Sequence, residues 1–314
     1  MDNLHVRCQN GTVRRYATHH VKEIFQLMGC KPLHSHQVSV NVTQRLLAKD
    51  SPQTPVSDAE FLRVVEDCLK EEEYSWRGIM SDFAIARQIM DREHSICILL
   101  GGTSGCGKST LASLLANKIG LSTVLSTDNV RHLLRSFTSE SAHPILWASS
   151  YHAGEVYDNN VGPLVAGDGP GQAKVPSTKD EADERIVLGY EAQNELVFRR
   201  LDQLIGSFEA RNESLIVEGV HLSVEVVLKL MNRHPSCLPF LIYISNEAKH
   251  TERFAIRAKY MTLEPRENKY VKYFGNIRII QNYLCNKADL HLVCLSLSLS
   301  PSPLFPIAPT RNLA

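Results

Sequence analysis

The chain has 314 residues, 43% of them hydrophobic, which is room for one large domain or two smaller ones around an ordered core. Lysine plus arginine and aspartate plus glutamate each number 34, and a net charge of zero excludes a bulk nucleic-acid coat and a polybasic membrane anchor. No secretory signal is read at the N-terminus and no apolar run reaches the ~18–20 residues of a membrane span, so a cytoplasmic location is expected, with a nuclear one as the alternative. The eight cysteines lack the two-residue spacing of a thiolate metal knuckle and are expected to stay thiols.

Residues 1–94 predict a mainly helical domain. Apolar residues three to four apart run over 20–28 and stop at Gly29, a helix-ending residue. A second helix is read over 38–47. Ser57 is spaced to cap a third, with Glu60 three residues on, and that helix carries Phe61, Val64, Val65, Cys68 and Leu69. A fourth apolar pattern covers 81–90.

A second domain is read over 95–293. The unbroken apolar run 96–100 predicts a buried strand, and 108–119 predicts a helix ending at Gly120. Strands follow at 122–126, 215–221 and 238–244, with helices at 127–137, 179–209, 222–232, 247–260 and 269–284. Residues 138–178 show no period. A fifth strand is expected to begin at His291, and 294–314 reads as a low-complexity, disordered tail. Strands alternating with helices predict a mostly parallel sheet with its ligand loops after 100, 126, 218 and 244.

The first of those loops carries the chemistry. Gly102, Gly107, Lys108 and Ser109 stand at the spacing of a phosphate-binding loop between a strand and a helix. Glycines let backbone N–H groups converge on phosphates, so Gly102, Thr103, Ser104, Gly105, Cys106, Gly107, Lys108, Ser109 and Thr110 are expected to cradle ATP. Lys108 should reach the outer phosphates and Ser109 should hold Mg²⁺. Cys106 reads as a small residue fitting a tight turn, with a redox role the alternative.

At the other sheet-edge loops, Asp128 is placed to meet an acceptor hydroxyl or a magnesium-bound water, the alternative being a helix cap. Arg131, three residues on, can clamp an anionic acceptor or lie on the surface, and Arg135 repeats the spacing. Glu218 ends an apolar strand, which suits a metal contact or a general base, with a structural ion pair as the alternative. Ser109, Asp128 and Glu218 form the expected Mg²⁺ set. His221 either binds acceptor phosphate or is a satisfied turn histidine. Arg253 and Arg257 share one helix face, followed by Lys259 and Arg266, as if to neutralise transferring charge; the alternative is a solvated face paired to Glu247, Glu252 and Glu264. Arg278 fits either network.

The stretches 101–110, 126–131 and 147–155 resemble archaeal-type 2-phosphoglycerate kinases. The later runs 217–222 and 252–261 look closer still to their plant relatives, P-loop proteins associated with low phytic acid. The likeness covers about 15–291. It implies an α/β, P-loop kinase-like parallel sheet behind a helical, ATP-cone-like N-terminal domain. It implies transfer of phosphoryl from ATP to 2-phosphoglycerate and, in the plant relatives, a part in inositol hexakisphosphate accumulation. The roles it carries over fall on Lys108, Ser109, Asp128, Arg131, Glu218, Arg253 and Arg257. The sequence departs from the family after 293. The expectation is an ATP- and Mg²⁺-dependent kinase for a small phosphate-bearing or polyol acceptor, with a non-catalytic ATP-binding regulator as the competing reading.

Overall fold

The computed structural model describes residues 3–8, 11–48, 54–157, 178–260 and 272–291, with the backbone alone over 255–260. The N-terminal part is not only helical. Strands β1 (Asn3–Arg7), β2 (Val13–Ala17) and β3 (Val56–Ser57) form a sheet in the order β2-β1-β3. β1 runs antiparallel to β2 and parallel to β3. In β1, Leu4 and Val6 are buried while His5 and Arg7 are exposed, the period-two signature of a half-buried strand. In β2 only Tyr16 is fully buried, so its charged, exposed neighbours hide the pattern.

Four helices pack on this sheet: α1 (Thr18–Leu27), α2 (Pro32–Leu47), α3 (Asp58–Glu71) and α4 (Ile79–Met90). Ser57 caps α3 by accepting the Glu60 amide, as its spacing predicts. Leu4, Val6, Ile24, Phe25, Phe61 and Phe83 build one hydrophobic cluster drawn from residues 4–86. Beside it Arg87 is buried, donating to Asp58 Oδ1 at 2.6 Å and to the Tyr16 hydroxyl at 2.9 Å.

Beyond it lies a second, wholly parallel sheet: β4 (Cys97–Gly101), β5 (Val124–Ser126), β6 (Leu215–Gly219) and β7 (Cys237–Leu241), in the order β5-β6-β4-β7. Its helices are α5 (Lys108–Ile119), α6 (Thr127–Arg135), α7 (Pro144–Trp147), α8 (Ala153–Val156), α9 (Lys179–Glu209), α10 (Val224–Arg233), α11 (Glu247–Tyr260) and α12 (Phe274–Leu290). β4 and β6 are buried along their whole length, which is why their sequences are continuously apolar. Successive side chains still separate by face. Cys97, Leu99, Leu215 and Val217 pack with Leu201 and Leu230 of α9 and α10, and Ile98, Leu100 and Ile216 pack with Ala112 and Ala116 of α5. The molecule is thus α/β, with a P-loop kinase-like parallel sheet.

Several boundaries differ from the sequence reading. β7 stops at Leu241, three residues early, because Ile244 leaves the ladder to bond with Gln281 of α12. α12 runs to Leu290, past the expected end at 284, and residues 269–271 of the expected helix lie outside the described residues. The aperiodic stretch contains the short helices α7 and α8. The expected fifth strand beyond His291 and the tail lie outside the described residues. No helix among the described residues is long and apolar enough to cross a membrane.

Candidate active site

β4 ends in the glycine-rich loop, and the register sets Gly101 beside Gly219 at the ends of the two central strands. Gly102 has φ +139°, and a Cβ there would stand 2.1 Å from the Ile242 carbonyl oxygen, so only glycine lets the chain turn this close to the β7 exit. The loop closes on itself. Cys106 Sγ donates to the Thr103 carbonyl at 2.9 Å, and the buried Lys108 ammonium donates to the same oxygen at 2.8 Å. Cys106 is wholly buried, as a small turn residue is. Thr103 Oγ1 is buried with no partner. Ser109 and Thr110 open the first turn of α5 and are exposed, and no acidic side chain occupies that turn. A cluster of backbone donors at a helix start, an ammonium without a carboxylate and an unsatisfied hydroxyl is the environment an anion completes.

Across from the loop stand the two acids. Glu218 lies in register with Leu100 of β4 and Ser126 of β5. It is 6% exposed, and its carboxylate has no hydrogen bond or ion pair among the described residues. Asp128 is not the cap of α6, whose N-cap is Ser126. It sits in the first turn with its carboxylate exposed and 3.8 Å from Arg131. A carboxylate is favoured there by the helix dipole.

His221 is fully buried and fully used. Gln193 donates both amide hydrogens, to the carbonyls of Ile145 and Ala148, so its oxygen can only accept. It accepts from Ser150 and from His221 Nε2, which must therefore carry the proton. His221 Nδ1 in turn accepts from the Thr127 hydroxyl at 2.9 Å. Burial, then the nearby Arg131, Lys108 and Arg135, push its pKa well below the ordinary value. It is a neutral turn histidine, not a phosphate ligand.

The same neighbourhood fixes residues 145–152. Arg131 donates to the Ala148 carbonyl at 2.7 Å. Arg135 donates to those of Leu146 and Trp147 and lies over the Trp147 ring. Asn276 of α12 holds the Tyr151 carbonyl at 2.6 Å. The Tyr151 hydroxyl then reaches the phosphate loop, where it accepts the Ser104 amide at 2.6 Å. From the opposite side His250 of α11 donates through Nε2 to the Ser104 carbonyl at 2.8 Å, its ring stacked on Phe254. Burial above all, then Arg278, Arg253 and Lys108, lower the His250 pKa against the raising effect of that bond. Arg253 comes within 3.5 Å of the Cys106 carbonyl. Arg278 is bound to the carbonyls of Ile244 and Ser245 instead. The side chains of Arg257 and Lys259, and all of Arg266, lie outside the described residues. A cavity of about 330 Å³ is lined by His152, Gly154, Glu155, Ala182, Arg185, Ile186 and Asn276, and neither Tyr151, Asp128, Glu218 nor the phosphate loop lines it.

Tyr151, His250 and Gln193 received no role from the sequence. Gln193 alone left a signal, a polar residue in the apolar stripe of Tyr190, Val197 and Leu201. Among the described residues no cluster of three or more histidines, cysteines or acids is arranged to hold a metal by itself.

No protein-family model matches the chain. It is 42% identical over 332 residues to an uncharacterized protein of Dictyostelium discoideum, a match covering 90% of this chain but only 37% of that protein. It is 25% identical over 264 residues to a 2-phosphoglycerate kinase of Methanopyrus kandleri, covering 84% of this chain and 73% of the kinase. With a 2-phosphoglycerate kinase of Methanocaldococcus jannaschii it shares 28% over 263 residues, covering 83% and 75%. The chain is thus similar, at low identity, to archaeal 2-phosphoglycerate kinases. The likeness to those kinases runs through most of the chain, while the chain spans little more than a third of the Dictyostelium relative.

Proposed function

We propose that the chain is an ATP- and Mg²⁺-dependent kinase for a small phosphate-bearing acceptor. One observation carries this reading: the glycine-rich loop around Lys108 and two carboxylates, Asp128 and Glu218, stand together at the carboxyl edge of a parallel sheet. The amides of 102–110 hold the triphosphate and Lys108 swings from the Thr103 carbonyl onto its outer oxygens. Asp128 takes the proton of the acceptor hydroxyl as that oxygen bonds to the terminal phosphorus and the bond to the departing ADP oxygen breaks. Arg253, with Arg257 as the further candidate, balances the charge that builds on the transferring group. Arg131 orients Asp128 and ties it to the 145–148 segment. Ser109, Asp128 and Glu218 would hold Mg²⁺, which when bound neutralises phosphate charge.

The archaeal relatives make 2-phosphoglycerate the first acceptor to try. The plant-like blocks at 217–222 and 252–261 make inositol phosphates the second, with a role in phytic acid formation. Residues 1–94 are proposed to be a separate, ATP-cone-like domain and 95–293 the kinase domain.

The test is ATP consumption by the purified chain against a panel holding both acceptor classes, with Asp128→Asn as the control. Acceptor-dependent turnover that the variant loses supports the reading. ATP binding without turnover on any acceptor would favour a nucleotide-binding regulator.

A further inference from the structure

We infer that Tyr151 is a positioning and specificity residue whose hydroxyl reads the terminal phosphate of the bound nucleotide. This rests on the reading of 101–110 as an ATP-binding loop and adds to it a sensor outside the loop.

Tyr151 is 5% exposed and is the only residue of the 145–152 segment with a described bond to the phosphate loop. Its oxygen accepts the Ser104 amide, and the Ser104 side chain is its other hydrogen-bonding neighbour. A buried phenol whose hydrogen can turn from an exchangeable serine hydroxyl onto a charged oxygen adds one more donor for an anion beside the loop. Burial above all raises its pKa, outweighing the lowering effect of its hydrogen bonds to Ser104, so the proton stays on the oxygen at neutral pH.

The position of this donor selects which phosphate it meets. Ser104 lies on the Gly102 side of the loop, before the start of α5 at Lys108. The segment carrying Tyr151 is anchored to α6 through Arg131 and Arg135, on the side of Asp128, where the acceptor must attack. The end of the triphosphate turned toward the acceptor is the terminal one. Asn276 fixes the Tyr151 backbone, so the hydroxyl is held in place before nucleotide arrives.

The experiment is calorimetric titration of the full chain with ADP and with a non-hydrolysable ATP analogue, both with Mg²⁺, in the wild type and in Tyr151→Phe. The variant keeps the ring packing and removes only the hydroxyl. The expected result is a loss of about tenfold in affinity for the triphosphate, the size of one hydrogen bond to a charged group, with ADP changed less than about twofold. Equal losses for both nucleotides, or no loss for either, would overturn the inference. Lys108→Ala separates it from the reading beneath: if that variant binds both nucleotides as the wild type does, the loop reading itself has failed. Should Tyr151→Phe not fold, Asn276→Ala loosens the same hydroxyl and must weaken the triphosphate by about threefold and spare ADP; an equal effect on both again overturns the inference.

Discussion

Arg87 in the N-terminal part and Lys108 in the glycine-rich loop are both buried cations, and their surroundings are opposite. Arg87 is surrounded by acceptors: Asp58, Asp91, the Tyr16 hydroxyl and Cys8 Sγ, with the rings of Tyr16 and Phe61 beneath its guanidinium. Burial alone would lower its pKa, but the bonds to Tyr16 and Asp58 outweigh that and raise it. Tyr16 also bonds Asp91, and Arg14 closes the group through Asp91 and Glu93. Lys108 has one carbonyl and a sulfur 3.8 Å away, and Thr103 Oγ1 beside it has nothing. The first centre is complete and holds the fold. The second has fewer acceptors around its cation among the described residues, and under the proposed function a nucleotide would supply the others.

The largest effect is expected where the complete centre is broken. Arg87→Leu leaves the poorly exposed Asp58 without its ion-pair partner and takes one contact from Asp91, which keeps Arg14 and Tyr16, and should cost about 3–5 kcal/mol in denaturant unfolding, while the folded fraction binds nucleotide normally. A variant as stable as the wild type would erase the distinction. Lys108→Ala should do the converse. It is expected to lower nucleotide affinity about 100-fold, which is about 2.7 kcal/mol, and to shift unfolding by less than about 1 kcal/mol.

Acid sharpens the comparison. His221 and His250 both have lowered pKa values in the folded chain. The groups facing His221 are Arg131, Arg135 and Lys108, with Asp128 at 3.9 Å, and those facing His250 are Arg253, Arg278 and Lys108. As pH falls through ~6.5 the unfolded chain takes up these protons and the folded chain does not. The unfolded state then binds more protons, so stability falls with falling pH, by at most about 1.4 kcal/mol per pH unit for each histidine. Melting temperatures between pH 8 and 5 should show this loss, and His221→Gln should flatten it. The smallest effect belongs to an ordinary cap: Ser57→Ala should cost about 1 kcal/mol and leave nucleotide binding unchanged.

The parallel sheet was legible because buried strands write themselves as unbroken apolar runs, as β4 and β6 do. Helix ends were legible where one residue decides them. Gly120 is the left-handed cap of α5, and Ser57 caps α3. The sheet β2-β1-β3 was not, because β3 is two residues long and β2 buries a single side chain fully. In the site, the loop and the acids could be read from local spacing. Tyr151 and His250 could not, since their partners lie 47 and 146 residues away in the chain. Nothing near a tyrosine in an aperiodic stretch announces which amide it will meet. The arginines show the same limit: Arg131 and Arg135 were read by charge, and the backbone carbonyls that hold them carry no sequence signature.

The pairing of Gly101 with Gly219 has a consequence for how the molecule tolerates change. A Cβ at the first would stand 2.5 Å from the Leu222 carbonyl oxygen, and one at the second, where φ is +155°, would stand 1.8 Å from Thr127 Oγ1. The obstacle is backbone in one case and, in the other, the hydroxyl already committed to His221, so neither neighbour can step aside. In a library of all single substitutions these two adjacent positions will read as closed to every other amino acid. The floor between the two central strands is set by the absence of side chains.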